Sequence, residues 1–461
     1  MVVNSDYLRK QDIARDRELN LCSQDYSLLT DLYQLTMAAC YAGEGLAQQP
    51  ASFELFVRRL PEGFGYLIAM GLAQALEYLE KFRFSRAQVA ALQATGIFDK
   101  APAEFWSILA DARFAGDVWA VPEGTAVFAN EPLLRVEAPL WQAQLVETYL
   151  LNAINYQTLV ATRAARIRDV AGAQALLLDF GTRRAFSPQA SLWAARAALA
   201  AGLDATSNVL AALKLNRQPS GTMAHSLVMA FTAQAGSEQE AFAAFHRYFP
   251  GATLLIDTYE PISCAQQLAE RVRLGEMQLN GVRLDSGDLL SLSQKVRSLL
   301  PNVPIFASGD LDEWEIAKLK AAGACIDGYG LGTRLVTGSP VNGVYKLVEI
   351  DGIPTMKQSI SKVTYPGRKQ IFRRFEGSNI IADRLGLATE SLMGEQPLLQ
   401  LVFKQGQMVQ QPNTLDEIRD RTAASVASLP AKTRLLSNPT GLPVEISDAL
   451  RLLIQQTRRP T

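Results

Sequence analysis

A repeated pattern in the middle of the chain limits its fold more than any other feature. Between about residues 175 and 331, short apolar runs alternate with polar or glycine-containing turns and, in most cases, with amphipathic stretches of helical length. This alternation is typical of strand–helix units in an α/β fold. Such units pack as an open doubly wound sheet or as a barrel, and in both the ligand lies at the carboxyl ends of the strands. The predicted strands cover residues 175–178, 208–212, 253–256, 281–284, 304–307 and 326–331.

The length of the chain and the patterns on either side of this repeat predict a second domain. At 461 residues the chain exceeds one ordinary core. Before the repeat, residues 26–41 show apolar residues at helical spacing, and residues 52–57 form a predicted strand. Beyond Gly338, residues 344–350 and 354–358 around Asp351-Gly352 predict a hairpin. We therefore expect the chain to return to the first domain, before a Gln-rich tail from about residue 396 that lacks clear periodicity until residues 446–454.

Charge, cysteine usage and hydropathy exclude several classes of protein. Lys plus Arg total 45 against 46 Asp plus Glu, so no nucleic-acid or anionic-membrane partner is expected. The four cysteines form no CxxC pair, which disfavours a zinc cluster or a disulfide framework. The polar N-terminal segment lacks the apolar core of a signal peptide, and no later run reaches about 18 apolar residues. We expect a cytoplasmic protein with reduced thiols and no membrane span.

Polar, charged or glycine residues follow nearly every predicted strand. An enzyme of anionic substrates needs cations for phosphate, acids for a metal, and glycines for close approach of the backbone. A structural protein has little reason to repeat that arrangement. In chain order the residues are Asp179, Arg183, Thr206, Ser207, Asp257, Arg283, Asp285, Ser308, Gly309, Asp310, Gly330 and Gly332.

Each turn also has a plainer interpretation when taken alone. Residues 179–184, Asp-Phe-Gly-Thr-Arg-Arg, offer an aromatic face and a guanidinium fork for a flat anion, or equally a helix-capping loop with surface arginines. In the turn at 281–288, Asp288 is expected to cap the following helix. Glycine after a strand is common, so the turns at 308–310 and 330–334 indicate phosphate binding only in combination with the others.

Histidine is scarce, and one of the two histidines lies among these turns. His225 is in the segment Ser220-Gly-Thr-Met-Ala-His225-Ser226, a small-residue turn that leads into a helical run. A lone histidine is more often structural than catalytic. Its position between two strand-end sites nevertheless favours a catalytic role, and we expect its side chain to be exposed and accessible to a ligand. His246, on an apparent helix, is expected to be structural.

Together these motifs resemble the nicotinate phosphoribosyltransferase family, a group of type II phosphoribosyltransferases. The order and approximate spacing of the motifs match, and the resemblance covers roughly residues 29–373. The motifs are Thr30-Asp-Leu-Tyr33-Gln-Leu-Thr-Met37, Asp179-Phe-Gly-Thr-Arg183-Arg184, Thr206-Ser-Asn208-Val, Gly221-Thr-Met-Ala-His225-Ser226, Leu284-Asp285-Ser-Gly-Asp288, Ala307-Ser-Gly-Asp310-Leu-Asp-Glu, Gly328-Tyr-Gly330-Leu-Gly332-Thr-Arg334 and Val344-Tyr-Lys-Leu-Val348.

The resemblance implies an α/β fold in which an incomplete, irregular α/β barrel is joined to a smaller α/β domain built from both chain ends. Residues 156–340 would form the catalytic barrel. Residues 1–155 and 341–461 would contribute the two parts of the small domain, the second with the tail. The resemblance also implies a homodimer with active sites shared at the interface.

The same resemblance assigns roles to individual residues. His225 would be transiently phosphorylated by ATP, a co-substrate, and Arg283 and Asp285 would complete the catalytic group. Nicotinate would stack on Phe180 under Tyr33 of the partner subunit, with Arg183 at its carboxylate; Asp204, Thr206 and Ser226 are further candidates around it. Asp257 and Asp285 are the candidates for binding Mg²⁺ and orienting the ribose. The phosphates of phosphoribosyl pyrophosphate would lie among Arg283, Ser308, Gly309, Asp310, Gly330, Gly332 and Thr333.

Three other functions compete with this one. A nicotinamide phosphoribosyltransferase would share the fold and the histidine; Asp204 does not separate the two, whereas Thr206-Ser-Asn208 and Gly221-Thr222 favour nicotinate. A magnesium-dependent barrel lyase would use Asp257 and Asp285 as ligands, but no lysine lies at the predicted strand ends. A non-catalytic nucleotide sensor is disfavoured by the number of distinct anion-binding turns.

Overall fold

The computed structural model describes residues 19–359 and 362–458. The polar N-terminal segment, from which we predict the absence of a signal peptide, lies almost entirely outside the described residues. The extreme ends of the predicted small-domain parts lie outside them as well.

The described residues form short strands separated by helices. The strands are β1 (Pro50–Val57), β2 (Leu67–Ile68), β3 (Asp117–Ala120), β4 (Ala126–Val127), β5 (Pro132–Pro139), β6 (Leu176–Asp179), β7 (Ala205–Thr206), β8 (Leu254–Leu255), β9 (Val282–Leu284), β10 (Ile305–Ala307), β11 (Gly328–Leu331), β12 (Gly343–Ile350), β13 (Ile353–Pro354), β14 (Gln358–Ser359), β15 (Lys362–Val363), β16 (Lys369–Glu376), β17 (Asn379–Leu387), β18 (Glu395–Pro397), β19 (Gln400–Lys404), β20 (Gln407–Met408) and β21 (Val444–Ile446).

A 3-10 turn at Tyr26–Leu28 precedes the first α-helix. The α-helices are α1 (Leu32–Gly43), α2 (Leu72–Glu80), α3 (Arg86–Ala94), α4 (Ala103–Ala110), α5 (Leu140–Leu145), α6 (Glu147–Ala171), α7 (Pro188–Ala200), α8 (Val209–Lys214), α9 (His225–Ala235), α10 (Glu238–Tyr248), α11 (Pro261–Arg273), α12 (Leu289–Leu299), α13 (Glu313–Ala321), α14 (Thr333–Val336), α15 (Leu415–Ala427), α16 (Ala431–Arg434) and α17 (Asp448–Thr457).

The centre of the molecule is a parallel sheet of six strands in the order β7-β6-β11-β10-β9-β8. In the described part of the chain this sheet is open, with β7 and β8 at its edges. The predicted α/β class with an incomplete barrel is therefore confirmed. The pairs Asp179 with Leu331 and Ala307 with Leu284 keep the carboxyl ends of neighbouring strands in register. The loops after these strands consequently meet along one edge.

Five of the six predicted strands coincide with observed strands within a few residues, and the sixth prediction is wrong. Residues 208–212 are not a strand but the beginning of α8, and the real strand β7 lies just before them. The side chain of Asn208 accepts a hydrogen bond from Ala211 N at 3.0 Å and so starts the helix. The predicted cap at Asp288 is present, since its carboxylate accepts from Ser291 N at 3.4 Å.

A seven-stranded sheet combines strands from both ends of the chain in the order β13-β12-β1-β5-β3-β19-β20. Within this sheet β1 lies between β12 and β5 and pairs antiparallel with both. The predicted hairpin at residues 344–358 is present as β12 and β13, although the second strand is shorter. Asp351 and Gly352 have φ of 48° and 74°, the left-handed pair that a two-residue hairpin turn requires.

The Gln-rich tail is more regular than its sequence pattern indicates. α15 begins at Thr414, whose hydroxyl and the side chain of Glu417 form a reciprocal capping box. This helix packs on α7 and α6. Among the described residues, no helix is long and apolar enough to cross a membrane.

Candidate active site

The loop after β6 is shaped by the buried carboxylate of Asp179. One oxygen accepts from Gly181 N and the other from Thr206 Oγ1, both at 2.7 Å. Burial raises the pKa of Asp179, and these two hydrogen bonds act against that rise. Asp179 thus joins the ends of β6 and β7 and fixes the backbone of Phe180. Asp179 therefore shapes the site indirectly, through the neighbouring residues that it holds.

The ring of Phe180 lies against the backbone of β11. Phe180 N donates to Leu331 O at 2.7 Å, and a Cβ added to Gly330 would lie 2.4 Å from the ring carbon Cε2. Any side chain at position 330 would therefore displace the ring. The glycine predicted for phosphate contact is required here for close packing of an aromatic ring.

The guanidinium of Arg283 lies over the ring of Phe180. Its Cζ is 5.7 Å from the centroid of the Phe180 ring, which is cation–π distance. One nitrogen donates to Thr222 Oγ1, and another donates to Met223 O at 3.2 Å. Burial lowers the pKa of Arg283, the charge of nearby Arg183 lowers it further, and Asp285 and Asp257 raise it. Arg183, on the same loop as Phe180, is exposed, and its charge acts on Arg283.

His225 is the first residue of helix α9, and its two ring nitrogens differ in their contacts. Its Nδ1 is 3.0 Å from Thr258 Oγ1, whereas its Nε2 is 3.9 Å from Asp285 Oδ2, too far for a direct hydrogen bond. The side chain is 38% exposed, so the expectation of an approachable setting is met. Ser226, the next residue of the helix, is exposed.

Asp257 and Asp285 lie at the ends of the neighbouring strands β8 and β9. Asp257 Oδ2 accepts from Asp285 N, Ser286 N and Ser286 Oγ at 2.7, 2.8 and 2.9 Å. Its other oxygen, Oδ1, is buried and has no hydrogen-bond partner. Asp285 Oδ1 accepts from Ser308 Oγ at 2.5 Å. One free oxygen on each carboxylate is thus left for a ligand.

These two carboxylates suit Mg²⁺ but not a metal held by the protein alone. No group of three or more His, Cys, Asp or Glu side chains is placed to hold a metal in residues 19–359 and 362–458. Mg²⁺ commonly uses one or two carboxylates together with substrate phosphates and waters. The orphaned Asp257 Oδ1 and the Oδ2 of Asp285 fit that smaller donor set.

The glycine turns after β10 and β11 bring backbone close to these acids. Gly309 has φ of 95°, and a Cβ there would lie 2.2 Å from Asp285 O. Only glycine satisfies both conditions. Asp310 is exposed with φ of 45°, and Gly332 and Thr333 begin the short helix α14. The predicted residues after β6, β7, β8, β9, β10 and β11 therefore share one edge of the sheet.

Two predicted site residues are not part of this group. Asp204 precedes β7 and lies at the opposite, amino ends of the strands. Its carboxylate binds Arg168 at 2.5 Å, Arg419 at 2.6 Å and Leu177 N at 2.8 Å. It therefore joins helices α6 and α15 to the sheet, and we leave it out of the substrate site.

Tyr33 lies on α1, and no contact with Phe180 is among its described contacts. Its side chain is 47% exposed and lines a cavity of about 450 Å³ with Glu147, Tyr156 and Phe186. Partial burial, with the charges of Glu147 and Asp31, raises the pKa of Tyr33 to about 12. The hydroxyl is therefore a neutral donor at neutral pH.

Three hydroxyl residues of the site have positioning roles that the sequence analysis did not assign to them. Thr222 holds Arg283, Thr258 holds His225, and Ser286 holds Asp257. Each lies beside a predicted residue, but its partner belongs to a different strand or loop. Thr258 and Ser286 directly follow strand-end acids, and Thr222 lies in the Gly221-Thr222 motif; these were the sequence signals that could have indicated them.

The open parallel sheet and this edge define an α/β enzyme of anionic, phosphorylated substrates. Family models agree in detail: the N-terminal domain of nicotinate phosphoribosyltransferase matches residues 28–155, the nicotinate phosphoribosyltransferase family matches residues 175–303, and the C-terminal domain matches residues 392–454. A nicotinate phosphoribosyltransferase of Mycobacterium tuberculosis is 44% identical over 92% of each chain. That of Bacillus subtilis is 39% identical over 92% of this chain and 93% of its own. The chain belongs to the nicotinate phosphoribosyltransferase family.

Solved structures agree with this assignment. The crystal structure of human nicotinic acid phosphoribosyltransferase matches with a TM-score of 0.82 and 31% identity, over 93% of this chain and all of that one. A nicotinate-nucleotide pyrophosphorylase from Pyrococcus furiosus, 23% identical, shares the fold with a TM-score of 0.73.

Proposed function

We propose that this enzyme joins nicotinate to phosphoribosyl pyrophosphate, forming nicotinate mononucleotide and pyrophosphate, with coupled hydrolysis of ATP through a phosphohistidine at His225. The observation that carries the proposal is the aromatic ring of Phe180 with the guanidinium of Arg283 over it, at the carboxyl edge of the sheet, close to the exposed Arg183 whose charge acts on Arg283. A flat aromatic carboxylate needs that pairing of a ring face with a cation. The relatives from Mycobacterium tuberculosis and Bacillus subtilis, both nicotinate phosphoribosyltransferases, agree with this substrate.

The pyridine ring would stack on Phe180, with its carboxylate directed to the exposed Arg183. Thr206 keeps Phe180 in place through Asp179, and Ser226 stands at the exposed start of α9. Nicotinamide has no charge for Arg183 to bind, so the same arrangement favours the acid over the amide.

The phosphoribosyl group would lie across the loops after β9, β10 and β11. Arg283 and the backbone around Ser308, Gly309, Asp310, Gly332 and Thr333 would hold its phosphates. Positive charge develops on the ribose as pyrophosphate leaves, and Asp257 and Asp285 are placed to orient the sugar and its counter-ion. Bound Mg²⁺ would neutralise the departing pyrophosphate. The ring nitrogen of nicotinate is itself the nucleophile, so the protein need supply no general base.

ATP would phosphorylate His225 at Nε2, the nitrogen that has no close partner. The imidazole lies at the start of a helix, where the backbone N–H groups favour a phosphoryl group. Asp285 links this histidine to the phosphoribosyl site, since its two oxygens face Nε2 and Ser308 respectively.

The active enzyme would be a cytoplasmic homodimer with shared sites. The resemblance assigns the second face of nicotinate to Tyr33 of the partner subunit, and the half-exposed side chain of Tyr33 is accessible for such a contact. The exposed side chains of Leu32 and Phe186 near the same cavity support a protein–protein contact there. Nucleic acid and membrane are not expected as partners.

The test is product formation from nicotinate and phosphoribosyl pyrophosphate with magnesium, with and without ATP. We expect nicotinate mononucleotide, formed faster with ATP in the wild type and without ATP stimulation in His225→Ala. His246→Ala is the matched control and should keep the stimulation.

Strong preference for nicotinamide in the same assay would move the chain to the amide-specific function. Equal ATP stimulation in His225→Ala would contradict the phosphohistidine. Absence of product from either base would contradict the transferase assignment itself.

A further inference from the structure

Within residues 19–359 and 362–458, Thr258 provides the side-chain hydrogen bond to the imidazole of His225. It follows Asp257 at the end of β8, and its hydroxyl is 3.0 Å from His225 Nδ1. The contact joins residues that are 33 positions apart in the chain. Because Nδ1 is engaged, the ring presents Nε2 towards Asp285, 3.9 Å away.

The loop that carries Thr258 is itself fixed. The carboxylate of the preceding Asp257 accepts three hydrogen bonds from Asp285 and Ser286. A threonine side chain is also stiff about χ1, so its hydroxyl has few alternative positions. Thr258 can therefore transmit the geometry of the β8–β9 loops to the imidazole.

We propose that Thr258 is a positioning residue that selects the tautomer of His225: its hydroxyl oxygen accepts a hydrogen bond from Nδ1–H, so the proton stays on Nδ1 and Nε2 is left unprotonated as the nucleophile. The inference rests on the proposed phosphorylation of His225. The hydrogen bond made by one ring nitrogen sets the protonation of the other. Without Thr258, the carboxylate of Asp285 would favour a proton on Nε2, the form that cannot attack phosphorus.

The proposed step balances without movement of a proton. The lone pair of Nε2 attacks the γ-phosphorus of ATP, the bond from that phosphorus to the β–γ bridging oxygen breaks, and its electron pair leaves with ADP. Both ring nitrogens are then substituted and the ring is positively charged. Nδ1–H consequently becomes a charge-assisted donor to Thr258 Oγ1. Keeping this proton also keeps the neutral imidazole as the leaving group when the phosphoryl group is transferred onward.

The tautomer can be measured without ATP because the chain has only two histidines. In protein labelled with ¹⁵N at histidine, His246→Gln assigns the two sets of ring signals. At a pH where the ring is neutral, we expect His225 to be protonated at Nδ1 in the wild type and in Thr258→Ser. In Thr258→Val we expect the proton on Nε2. An unchanged tautomer in Thr258→Val, in protein that is folded by circular dichroism, overturns the proposal.

A second measurement follows phosphoenzyme formation from γ-labelled ATP in a single turnover. Loss of the charge-assisted hydrogen bond should slow phosphorylation of Thr258→Val by roughly 10- to 100-fold, while Thr258→Ser stays near the wild type. An equal loss in Thr258→Ser and Thr258→Val would overturn the hydroxyl's role. If the wild type itself forms no phosphoenzyme, the ATP-coupling proposal fails, and the ¹⁵N spectra still decide whether Thr258 sets the tautomer.

Discussion

At the scale of single residues, glycines determine how closely the parts of the site approach each other. Gly309 allows the loop after β10 to touch the backbone of Asp285, and Gly330 allows the ring of Phe180 to lie on β11. Both contacts are shorter than any Cβ tolerates. From the sequence, both glycines are predicted to contact phosphate. In the structure, their lack of a side chain makes room for neighbouring protein groups.

Gly330→Ala should weaken nicotinate binding more than it weakens the fold. The new Cβ would lie 2.4 Å from Phe180 Cε2, so the ring must move and lose its stacking position. Loss of an aromatic stack corresponds to about a 10-fold rise in the KM for nicotinate. Steady-state kinetics would measure it. Gly441→Ala, where a Cβ meets nothing within 4 Å, is the matched control, and an equal rise in that variant would contradict the explanation.

At the scale of elements, Asp204 joins parts of the chain that the sequence does not place together. It links β7 to α6 through Arg168 and to α15 through Arg419. Although burial opposes it, hydrogen bonds from Leu177 N and the two arginines lower the pKa of Asp204 below its ordinary value of 3.8. A carboxyl group with a depressed pKa stabilises the fold above that ordinary value. The stabilisation is lost as the pH falls through the lower, folded-state pKa.

Asp204→Asn should therefore lower the free energy of unfolding at pH 7 by about 1–3 kcal/mol, the range for hydrogen bonds to charged groups. The difference from the wild type should begin to shrink below about pH 4, where the unfolded chain takes up the proton, and should disappear below the lower folded-state pKa. Urea unfolding at several pH values would measure it. Asp416→Asn, which breaks an exposed pair with Arg217, should change little. A pH-independent loss in Asp204→Asn would show that the ion pairs are not its cause.

The elements that the sequence predicted well are those with a distinct period or turn. Five strands of the parallel sheet and the Asp351-Gly352 hairpin have such signals. The error at residues 208–212 arose because Val-Leu-Ala-Ala is too short for a helix period to be told from a buried strand. Asn208 decides the outcome through a capping bond that only the folded backbone reveals. The tail helix α15 was missed although Thr414 and Glu417 carry a capping-box spacing.

At the scale of the whole molecule, the strand ends were predictable as a site because parallel strands bring their carboxyl ends to one edge. Which side chains contact each other there was not predictable. Phe180 packing on Gly330, and Thr258 holding His225, depend on approaches between loops that are distant in the chain. The position of Asp204 was not predictable either. It is a polar residue near a predicted strand, but it lies at the amino ends of the strands, opposite to the site.

The two ends of the chain are also joined by a buried ion pair. Glu54 on β1 lies 2.9 Å from the ammonium of Lys369 on β16, and these side chains are 0% and 4% exposed. Lys369 also donates to the carbonyls of Tyr365 and Gly367, both at 2.8 Å. Burial lowers the pKa of Lys369, whereas Glu54 raises it. The charge of Lys369 is therefore maintained by a residue 315 positions earlier in the chain.

Removing one partner should cost more than removing both. Glu54→Gln leaves a buried ammonium without its counter-charge, and we expect a loss of about 3–5 kcal/mol in the free energy of unfolding. Glu54→Gln with Lys369→Met removes the uncompensated charge and should recover much of that loss. Glu77→Gln, which breaks an exposed pair with Lys81, should change stability by less than about 1 kcal/mol. Denaturant unfolding of the four proteins would measure these differences. If the double variant is as unstable as Glu54→Gln, the loss comes from packing or backbone contacts of Glu54, and the ion pair is not what joins the chain ends.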